Sequence, residues 1–429
     1  PQMNEQRVYI VKQYASTANR RELQLLTLST PFRKVFIVHQ RDASPLAFAG
    51  PQSISVKKPP NPFGVFSRIG LRKLKGYLDG SYFPTPTVLY VHSAERVLQR
   101  RVAEDLERGR DVCVITAVPP HDLLLAGVAL KTNHPSIRWV IDWQDLWSHD
   151  EYYFSRVALK WRTRALRLER DAVQTCDFSV VTNDRAGQVL VAKCGARPHS
   201  IRVIPHAFET DDCHRFAKAM GNEQPRADGP TRIGFLGNLF KPPKVPGDRV
   251  LAALEQVREG CDLTFHVFGD KYLEKVSREP IQNKTWVVFH PMQSHEQSLA
   301  AIAQCDFLLL ALADLPNTKV ILHAKLPYYL ALGKPILALV PPESVVADVI
   351  RQTGAGHVID PECDWAGQLA MVLSAWRSGN CGSQRNSLAI TQYTWEAVVG
   401  LWQEAMEPNT NCRNNSSQVL DGVATVVAG

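Results

Sequence analysis

Short runs of apolar residues alternate with helical stretches along most of the chain. In the N-terminal half, the runs that predict β-strands are 8–14, 34–40, 87–93, 111–120, 138–147, 177–184 and 200–208. Most of these runs lack polar–apolar alternation and are followed by helical patterns, including a long basic helix predicted over 153–175. This order is typical of a parallel sheet that is covered by helices on both faces.

The same pattern resumes after a polar stretch. Residues 209–230 contain Gly and Pro and are predicted to link two domains. Further strands are predicted at 231–238, 262–270, 286–292, 306–312, 335–340 and 356–361, and helices near 365–378 and 394–406. The predicted domains are therefore residues 1–212 and 213–390. Residues 391–429 are predicted to form a C-terminal helix that packs back towards the first domain, and a loose tail.

Length and composition narrow the class of protein. The 429 residues exceed what one core of about 250–300 residues accommodates, and the composition is that of a globular protein. The chain contains no apolar run of membrane-spanning length, and its first residues lack the layout of a signal peptide. Nine scattered cysteines without a CxxC motif argue for a reducing cytoplasm and against a zinc site.

Positive charge is concentrated in two segments of the first domain. Residues 57–75 hold six basic residues and no acid, and residues 156–170 hold six basic residues and one acid. Apolar residues lie between these charges, so an anionic membrane surface is a candidate partner at the inner face of the membrane. A solvated helix face is the alternative. No known nucleic-acid-binding module is present, so no nucleic acid partner is predicted.

The predicted architecture indicates where a ligand binds. In doubly wound sheets, ligands bind at the carboxyl ends of the strands, where loop amides and helix N-termini converge. Two such domains in tandem predict a cleft between the two sheet edges. The architecture alone does not distinguish sugar transfer, epimerisation and simple binding.

The segment HAKLPYYLALGKPILALVP (323–341) carries the most specific information. A short amphipathic helix follows Lys325 and ends at Gly333, which is well suited to a left-handed helix cap. A buried strand begins at Pro335. The start of the helix and the lysine can hold a phosphate through backbone amides and charge. An ordinary turn with a surface lysine is the alternative.

This segment resembles the K-L-x-E-Y-L-A-x-G-K-P-I-L motif of bacterial GT-B glycosyltransferases, especially those similar to glycosyltransferase family 4 (group 1). Weaker matches follow the same order, from about residue 110 to 375, and include TAVPPHDLLLAGVAL, WVIDWQDLW, TRIGFLGN and HVFGD. The resemblance implies an α/β GT-B fold of two Rossmann-like, doubly wound domains with a central cleft. It also implies metal-independent hexosyl transfer, with the nucleotide sugar as a substrate and no cofactor.

The chain departs from the family at the donor ribose. The motif's carboxylate, which grips the ribose in the family, corresponds to Tyr328, and its partner carboxylate corresponds to Val320. A tyrosine can hydrogen-bond a ribose, but as a neutral group. The identity of the donor and the retaining or inverting outcome therefore stay open.

The resemblance and the strand ends together give the candidate donor-binding residues. These are Gly237, Asn238, Lys241, Lys244, Gly269, His290, Lys325, Tyr328 and Gly333. The lysines are candidates for the diphosphate, the glycines at strand ends allow close approach of a ligand, and the histidine occupies the position that lines the nucleobase pocket. Asn238 stands where the family usually has an arginine. A basic loop, turn glycines and a structural histidine are the plain alternatives.

Candidates for acceptor binding and catalysis lie in the first domain. Asp142 and Asp145 end a buried strand, and either carboxylate can take a proton from an acceptor hydroxyl if burial raises its pKa. Trp143, with Trp147, can shape a platform for a sugar. His121 caps a helix or contacts the acceptor, and Arg20 is a candidate for an acceptor phosphate. The Asp-x-x-Asp spacing is not a metal motif, so no metal is predicted.

The sequence thus predicts a glycosyltransferase that moves a sugar from a nucleotide diphosphate sugar to a glycan, such as a lipid-linked or polysaccharide intermediate. The alternatives are a nucleotide-sugar 2-epimerase and a non-catalytic nucleotide-sugar-binding scaffold. An epimerase needs no acceptor, and a scaffold binds the nucleotide without turnover.

Overall fold

The computed structural model describes residues 5–13, 25–30, 33–41, 52–209, 229–240, 244–269, 284–360, 363–379 and 385–407. The chain divides into two compact units. Unit 1 contains Pro1–Ile204 and Val399–Gly429, and unit 2 contains Pro205–Val398. The domain boundaries at 212 and 390 stay predictions, and the central part of the predicted linker lies outside the described residues.

Unit 1 is built on a parallel sheet of seven strands. The strands are β1 (Gln6–Val11), β2 (Arg33–Gln40), β3 (Ser53–Val56), β4 (Asp111–Val118), β5 (Arg138–Trp143), β6 (Phe178–Val181) and β7 (Ile201–Val203). Their order is β3-β2-β1-β4-β5-β6-β7, so the strand order reverses between β1 and β4. The strand ends at this reversal are where the doubly wound topology leaves room for a ligand.

The helices of unit 1 connect these strands. They are α1 (Gly64–Arg68), α2 (Arg72–Asp79), α3 (Val88–Glu107), α4 (Leu123–Asn133), α5 (Glu151–Phe154), α6 (Arg162–Thr175) and α7 (Asp184–Cys194). The strand predicted at 87–93 is wrong, because this run begins α3. Its β-branched residues resemble a strand locally, but the buried residues Val88, Val91, Ala94, Leu98 and Val102 recur every three to four residues and belong to one helical face.

Two further predictions for unit 1 need correction. The single helix predicted over 153–175 is interrupted: α5 ends at Phe154, a 3-10 turn spans Leu159–Trp161, and α6 begins at Arg162. The edge strand β3 was not predicted, since its sequence SISV is short and half polar. The remaining strand predictions of this half are confirmed within the described residues.

Unit 2 repeats the architecture with six parallel strands. The strands are β8 (Thr231–Leu236), β9 (Leu263–Phe268), β10 (Val287–His290), β11 (Phe307–Ala311), β12 (Ile336–Leu339) and β13 (Gly356–Ile359). Their order is β10-β9-β8-β11-β12-β13, which reverses between β8 and β11. All six strands were predicted from their apolar runs.

The helices of unit 2 cover both faces of this sheet, and two separate clusters of buried apolar side chains result. The helices are α8 (Gly247–Val257), α9 (His295–Ile302), α10 (Leu326–Leu332), α11 (Val345–Thr353), α12 (Trp365–Arg377) and α13 (Ser387–Thr391). Ser294 caps α9 and forms a capping box with Gln297. The last helix, α14 (Trp395–Met406), begins in unit 2 and continues into unit 1, where Arg138 donates to Met406 O at 3.0 Å.

Helix α4 packs so closely on the sheet that it requires a glycine. A Cβ atom added to Gly127 would overlap the Trp139 indole, whose Nε1–H donates to Thr116 Oγ1 at 3.1 Å. Gly400 of α14 is a matched helical glycine, because a Cβ there meets nothing within 4 Å.

We expect Gly127→Ala to destabilise unit 1 by about 1–3 kcal/mol through overpacking. Gly400→Ala should instead stabilise it by up to about 1 kcal/mol, because alanine is the better helix former. Urea unfolding followed by circular dichroism measures both variants. Equal effects of the two substitutions would show that the close contact at Gly127 does not exist.

Candidate functional site

The strands β8 and β11 separate before they end. They pair only at Ile233–Phe307 and Gly234–Leu308, so the last residues of β8 have no direct ladder partner on β11. The buried hydroxyl of Tyr329 lies in the gap. It accepts from the Leu236 N–H at 3.0 Å and donates to Leu309 O at 3.3 Å. A side chain of α10 therefore takes the place of a backbone hydrogen bond at the point where the strand order reverses.

Lys325 binds the other backbone group of the same residue. Its Nζ donates to Leu236 O at 2.7 Å and lies 4.1 Å from the centre of the Phe235 ring. Lys325 and Tyr329 are four residues apart, which places them on one side of the helical turn. Together they hold the end of β8 open at the topological switch point and fix an ammonium group there.

The turn after β8 lies beside this ammonium. Gly237 has a φ of 105°, which side chains with a Cβ rarely adopt. A Cβ at this position would lie 3.9 Å from Lys325 Nζ, so the turn passes directly beside the ammonium. The Gly237 N–H donates to Phe268 O at 2.7 Å, which ties the turn to the end of β9.

The start of α10 contributes less to anion binding than the sequence predicts. The Leu326 N–H donates to His323 O at 2.9 Å, and Pro327 has no N–H. The prediction that Gly333, at the other end of the helix, binds the donor needs correction. Gly333 forms the predicted left-handed cap, with a φ of 75°, but it leads into β12 at the amino edge of the sheet. Lys325 lies at the carboxyl edge, so Gly333 is a structural cap and does not contact a ligand at that edge.

Tyr328, at the position of the family's ribose-binding carboxylate, is mostly buried. Its ring packs edge-on against His295, the first residue of α9, with centroids 4.7 Å apart. The loop that precedes α10 contains Val320, which is half-buried. The loop is held by Thr318, whose hydroxyl donates to Ala313 O at 2.6 Å. This arrangement places a phenol where the family has a carboxylate.

Two histidines and a phenylalanine line the ends of β9 and β10. His290 stacks on Phe268 at 4.2 Å between ring centres, and its Nε2 lies 3.1 Å from His266 Nδ1. Burial, together with the neighbouring His290, lowers the pKa of His266 to about 4, and burial also lowers the pKa of His290. Both rings are therefore neutral at pH 7. The flat, uncharged surface suits a nucleobase, and His266 is a component that the sequence analysis missed.

The other donor candidates lie around the same edge. Gly269 follows β9 with a φ of 77°, and a Cβ there would meet Met292 at 3.6 Å. Asn238 follows Gly237 directly and is half-buried. The backbone of Lys244 accepts from the Ala313 N–H at 2.9 Å, which joins this loop to the end of β11. Lys241 lies outside the described residues.

In unit 1, a polar chain connects the ends of β1 and β5. Lys12 Nζ donates to Gln144 Oε1 at 3.0 Å, and Gln144 Nε2 donates to Asp142 Oδ2 at 3.2 Å. Asp142 is fully buried. Its role as a proton acceptor stays a prediction; the structure shows only that its buried carboxylate holds Gln144. Lys12 and Gln144 were missed, although a lysine directly after the buried run VYIV (8–11) is an unusual feature.

Asp145 is half-buried and lies just after the carboxyl end of β5. Its Oδ2 accepts from the Tyr153 hydroxyl at 3.2 Å, and its backbone O accepts from His121 Nε2 at 3.0 Å. Burial lowers the pKa of His121 to about 4, so the ring is neutral and its Nε2 carries the hydrogen. His121 stacks on Trp147 with ring centres 5.4 Å apart. It does not cap α4: it supports the loop that carries Asp145.

The predicted aromatic platform does not form. Trp143 is buried and its Nε1–H donates to Ser179 Oγ at 3.2 Å, and Trp147 is buried as well. Trp143 is the last residue of β5, which is buried from Trp139 onwards, and Trp147 lies in the loop that follows. Arg20 lies outside the described residues. Within the described ranges, no three His, Cys, Asp or Glu side chains gather in a way that holds a metal ion.

Tyr328 and Tyr329 are neighbours in α10, and we expect them to have different roles: Tyr328 contacts a ligand and Tyr329 holds β8. Tyr329→Phe leaves the Leu236 N–H without its partner, so we expect a loss of about 1–3 kcal/mol in the stability of unit 2. Tyr328→Phe should keep the fold and weaken nucleotide binding. Thermal unfolding and nucleotide titration separate the two effects. The assignment fails if Tyr328→Phe unfolds the unit as strongly as Tyr329→Phe.

No protein-family model and no curated protein matches the sequence. Solved structures do resemble the chain. A sucrose-phosphate synthase from Thermosynechococcus elongatus matches with a TM-score of 0.64 and 14% identity, over 93% of this chain and 98% of that chain. Anabaena HepE in complex with UDP and glucose matches with a TM-score of 0.61 and 13% identity, over 93% and 98% of the two chains.

A third similar structure is the lipopolysaccharide outer core galactosyltransferase WaaB, with a TM-score of 0.58 and 15% identity over 93% of this chain and 98% of that chain. At such low identities, the likeness shows the fold. The two parallel, doubly wound sheets and these neighbours confirm the predicted fold class: the chain has the GT-B fold.

Proposed function

We propose that this protein is a glycosyltransferase. Unit 2 binds a nucleotide diphosphate sugar at the carboxyl edge of its sheet, and unit 1 binds the acceptor at the carboxyl edge of its own. The observation that carries the proposal is the ammonium of Lys325, fixed at the end of β8 beside the glycine turn at Gly237. The similar structures, several of them named as sugar transferases or synthases, support it.

The position of Lys325 fits the electrostatic demand of sugar transfer. When the bond between the anomeric carbon and the diphosphate oxygen breaks, negative charge grows on the leaving diphosphate. A fixed ammonium stabilises this charge more in the transition state than in the bound substrate. One of its three N–H groups already bonds to Leu236 O, which holds the charge in place before the substrate arrives.

The acceptor step requires a base. The acceptor hydroxyl forms the new bond to the anomeric carbon and loses its proton. We propose that the carboxylate of Asp145 receives it, because this carboxylate lies at the sheet edge whereas Asp142 is buried. Tyr153 and His121 hold the side chain and the backbone of Asp145, so the base is fixed without blocking its whole surface.

The donor is proposed to be a UDP-hexose. HepE was solved with UDP and with UDP-glucose, which makes uridine the first nucleotide to test. The stacked, neutral His290 and Phe268 are the proposed nucleobase contact, and Tyr328 the proposed ribose contact. Because the ammonium supplies positive charge at the diphosphate, we propose transfer without a metal ion and without a cofactor. Unchanged activity in EDTA is the expected result.

The acceptor is proposed to be a glycan, either a lipid-linked or a polysaccharide intermediate, and not a nucleic acid. We propose that the protein works in the cytoplasm, at the inner face of an anionic membrane. Basic segments of unit 1 support this part of the proposal. In the described part of the chain, no helix is both long enough and apolar enough to cross a membrane.

Nucleotide titration tests the donor site. Isothermal titration with UDP, GDP, ADP and CMP should single out one nucleotide, and Lys325→Met should weaken its binding about 10- to 100-fold, because a charged hydrogen bond to the diphosphate is lost. Methionine keeps the apolar stem against Phe235. Lys284→Met is the matched control, because Lys284 precedes β10 at the opposite edge of the same sheet and pairs with Glu255.

Turnover separates the proposal from its alternatives. Asp145→Asn should bind the nucleotide normally but lower kcat about 100-fold or more, as expected for loss of a general base. Consumption of the nucleotide sugar without any acceptor would indicate an epimerase. Binding without turnover, with no effect of Asp145→Asn, would indicate a scaffold. Unchanged nucleotide affinity in Lys325→Met would overturn the donor site itself and leave the lysine a purely structural role.

A further inference from the structure

An exposed apolar surface stands out in unit 1. It comprises α1 and α2 with the turn between them (residues 64–79) and the segment 156–170, which we call the basic apolar face. Eleven large apolar side chains are exposed among the described residues. Seven of them lie on this face: Val65, Ile69, Leu71, Leu74, Tyr77, Leu159 and Leu166. Tyr77 and Leu159 are each at least 80% exposed.

The two segments belong to one surface. The Trp161 Nε1–H donates to Gly80 O at 3.1 Å, directly after the end of α2. A Cβ at Gly80 would lie 3.6 Å from the Cβ of Ala158. The guanidinium of Arg164 lies 4.4 Å from the centre of the Phe83 ring. These contacts join the residues directly after α2 to the segment 156–170, so the two segments are neighbours on the surface of unit 1.

The helices α1 and α2 are poorly buried. No residue of α1 or α2 is buried. Leu71, the N-cap of α2, and Leu74 and Leu78 within it recur at spacings of three and four, the pattern of an amphipathic helix. Leu71 and Leu74 remain exposed. A helix whose apolar stripe faces water is incompletely buried, and contiguous exposed apolar side chains mark an interaction surface.

The charge of this face has one sign. Its exposed charged residues are Arg68, Arg72, Lys73, Arg156, Lys160, Arg164, Arg167 and Arg170. Neither acid within the two segments is exposed: Asp79 binds Lys75, and Glu169 is buried and accepts from the Ser148 N–H. The acids Glu151 and Asp171 flank the second segment. Basic residues surrounding aliphatic side chains complement an anionic lipid surface, which offers headgroup charge and an apolar interior.

We propose that the basic apolar face docks unit 1 on an anionic lipid bilayer, with α1, α2 and Leu159 entering the headgroup region. This deepens the proposed function by giving the contact surface for a membrane-bound acceptor. Its test uses neither donor nor acceptor, so its failure and the failure of sugar transfer are distinguishable. A polyanion such as nucleic acid matches the charge of the face but leaves its aliphatic side chains in water.

Sedimentation with lipid vesicles tests the proposal on the full chain. The protein should bind vesicles of phosphatidylcholine with 30% phosphatidylglycerol (about one anionic lipid in three), and bind pure phosphatidylcholine weakly. Arg68→Gln, Arg72→Gln and Lys73→Gln combined should lower the partition coefficient about 100-fold, since each basic residue near the surface contributes roughly fivefold. The matched control combines Arg100→Gln, Arg101→Gln and Arg108→Gln, three exposed arginines at α3, and should bind as the wild type does.

A second variant tests the apolar part of the face. Leu71→Ser, Leu74→Ser and Tyr77→Ser combined should lower vesicle binding in 0.5 M salt as well as in low salt, because insertion is not screened. Met371→Ser and Leu388→Ser, exposed in unit 2, form its control. Thermal unfolding verifies that each variant is folded. The proposal is overturned if the wild type ignores anionic vesicles, if both charge triples lose binding equally, or if the protein binds DNA or heparin but no vesicles.

Discussion

The structure of unit 2 depends on the hydrogen bonds that the backbone N–H and C=O of one residue, Leu236, form. Because β8 and β11 separate after two paired residues, both the N–H and the C=O of Leu236 lack partners on the neighbouring strand. Tyr329 and Lys325 supply them from α10. An unsatisfied buried backbone group costs about 1–3 kcal/mol, so these two side chains stabilise the opening between the strands. The same contacts hold a positive charge at the place where the topology admits a ligand.

Unit 1 shows the contrast. There β1 and β4 pair over the full length of β1, from Gln6–Asp111 to Val11–Thr116. The reversal of strand order is therefore closed by backbone hydrogen bonds, and polar chemistry begins beyond the strand ends, with Lys12, Gln144 and Asp145. One architecture thus gives two different edges. A charged, glycine-lined edge suits a diphosphate, and an edge with a supported carboxylate suits a hydroxyl group.

The apolar runs predicted the parallel sheets because buried strands need continuous apolar sequence, and the αβ turn at Gly333 was predicted because few residues adopt its conformation. The failures have physical causes. The run at 87–93 has the composition of a strand. Its helical spacing becomes visible only when the buried residues up to Val102 are included. Trp143 lies at a strand end, where sequence does not show which side chains turn inward. Tyr329 was missed because its role depends on two strands separating, a tertiary property.

The central claim is that a nucleotide diphosphate sugar binds where β8 and β11 separate. The most direct measurement is a crystal structure with the nucleotide that titration selects. We expect the diphosphate within hydrogen-bonding distance of Lys325 Nζ beside Gly237, and the base against His290 and Phe268. A nucleotide bound elsewhere, or an empty edge at millimolar nucleotide with Lys325 still bonded to Leu236, would contradict it and reduce the lysine to a brace for the strand.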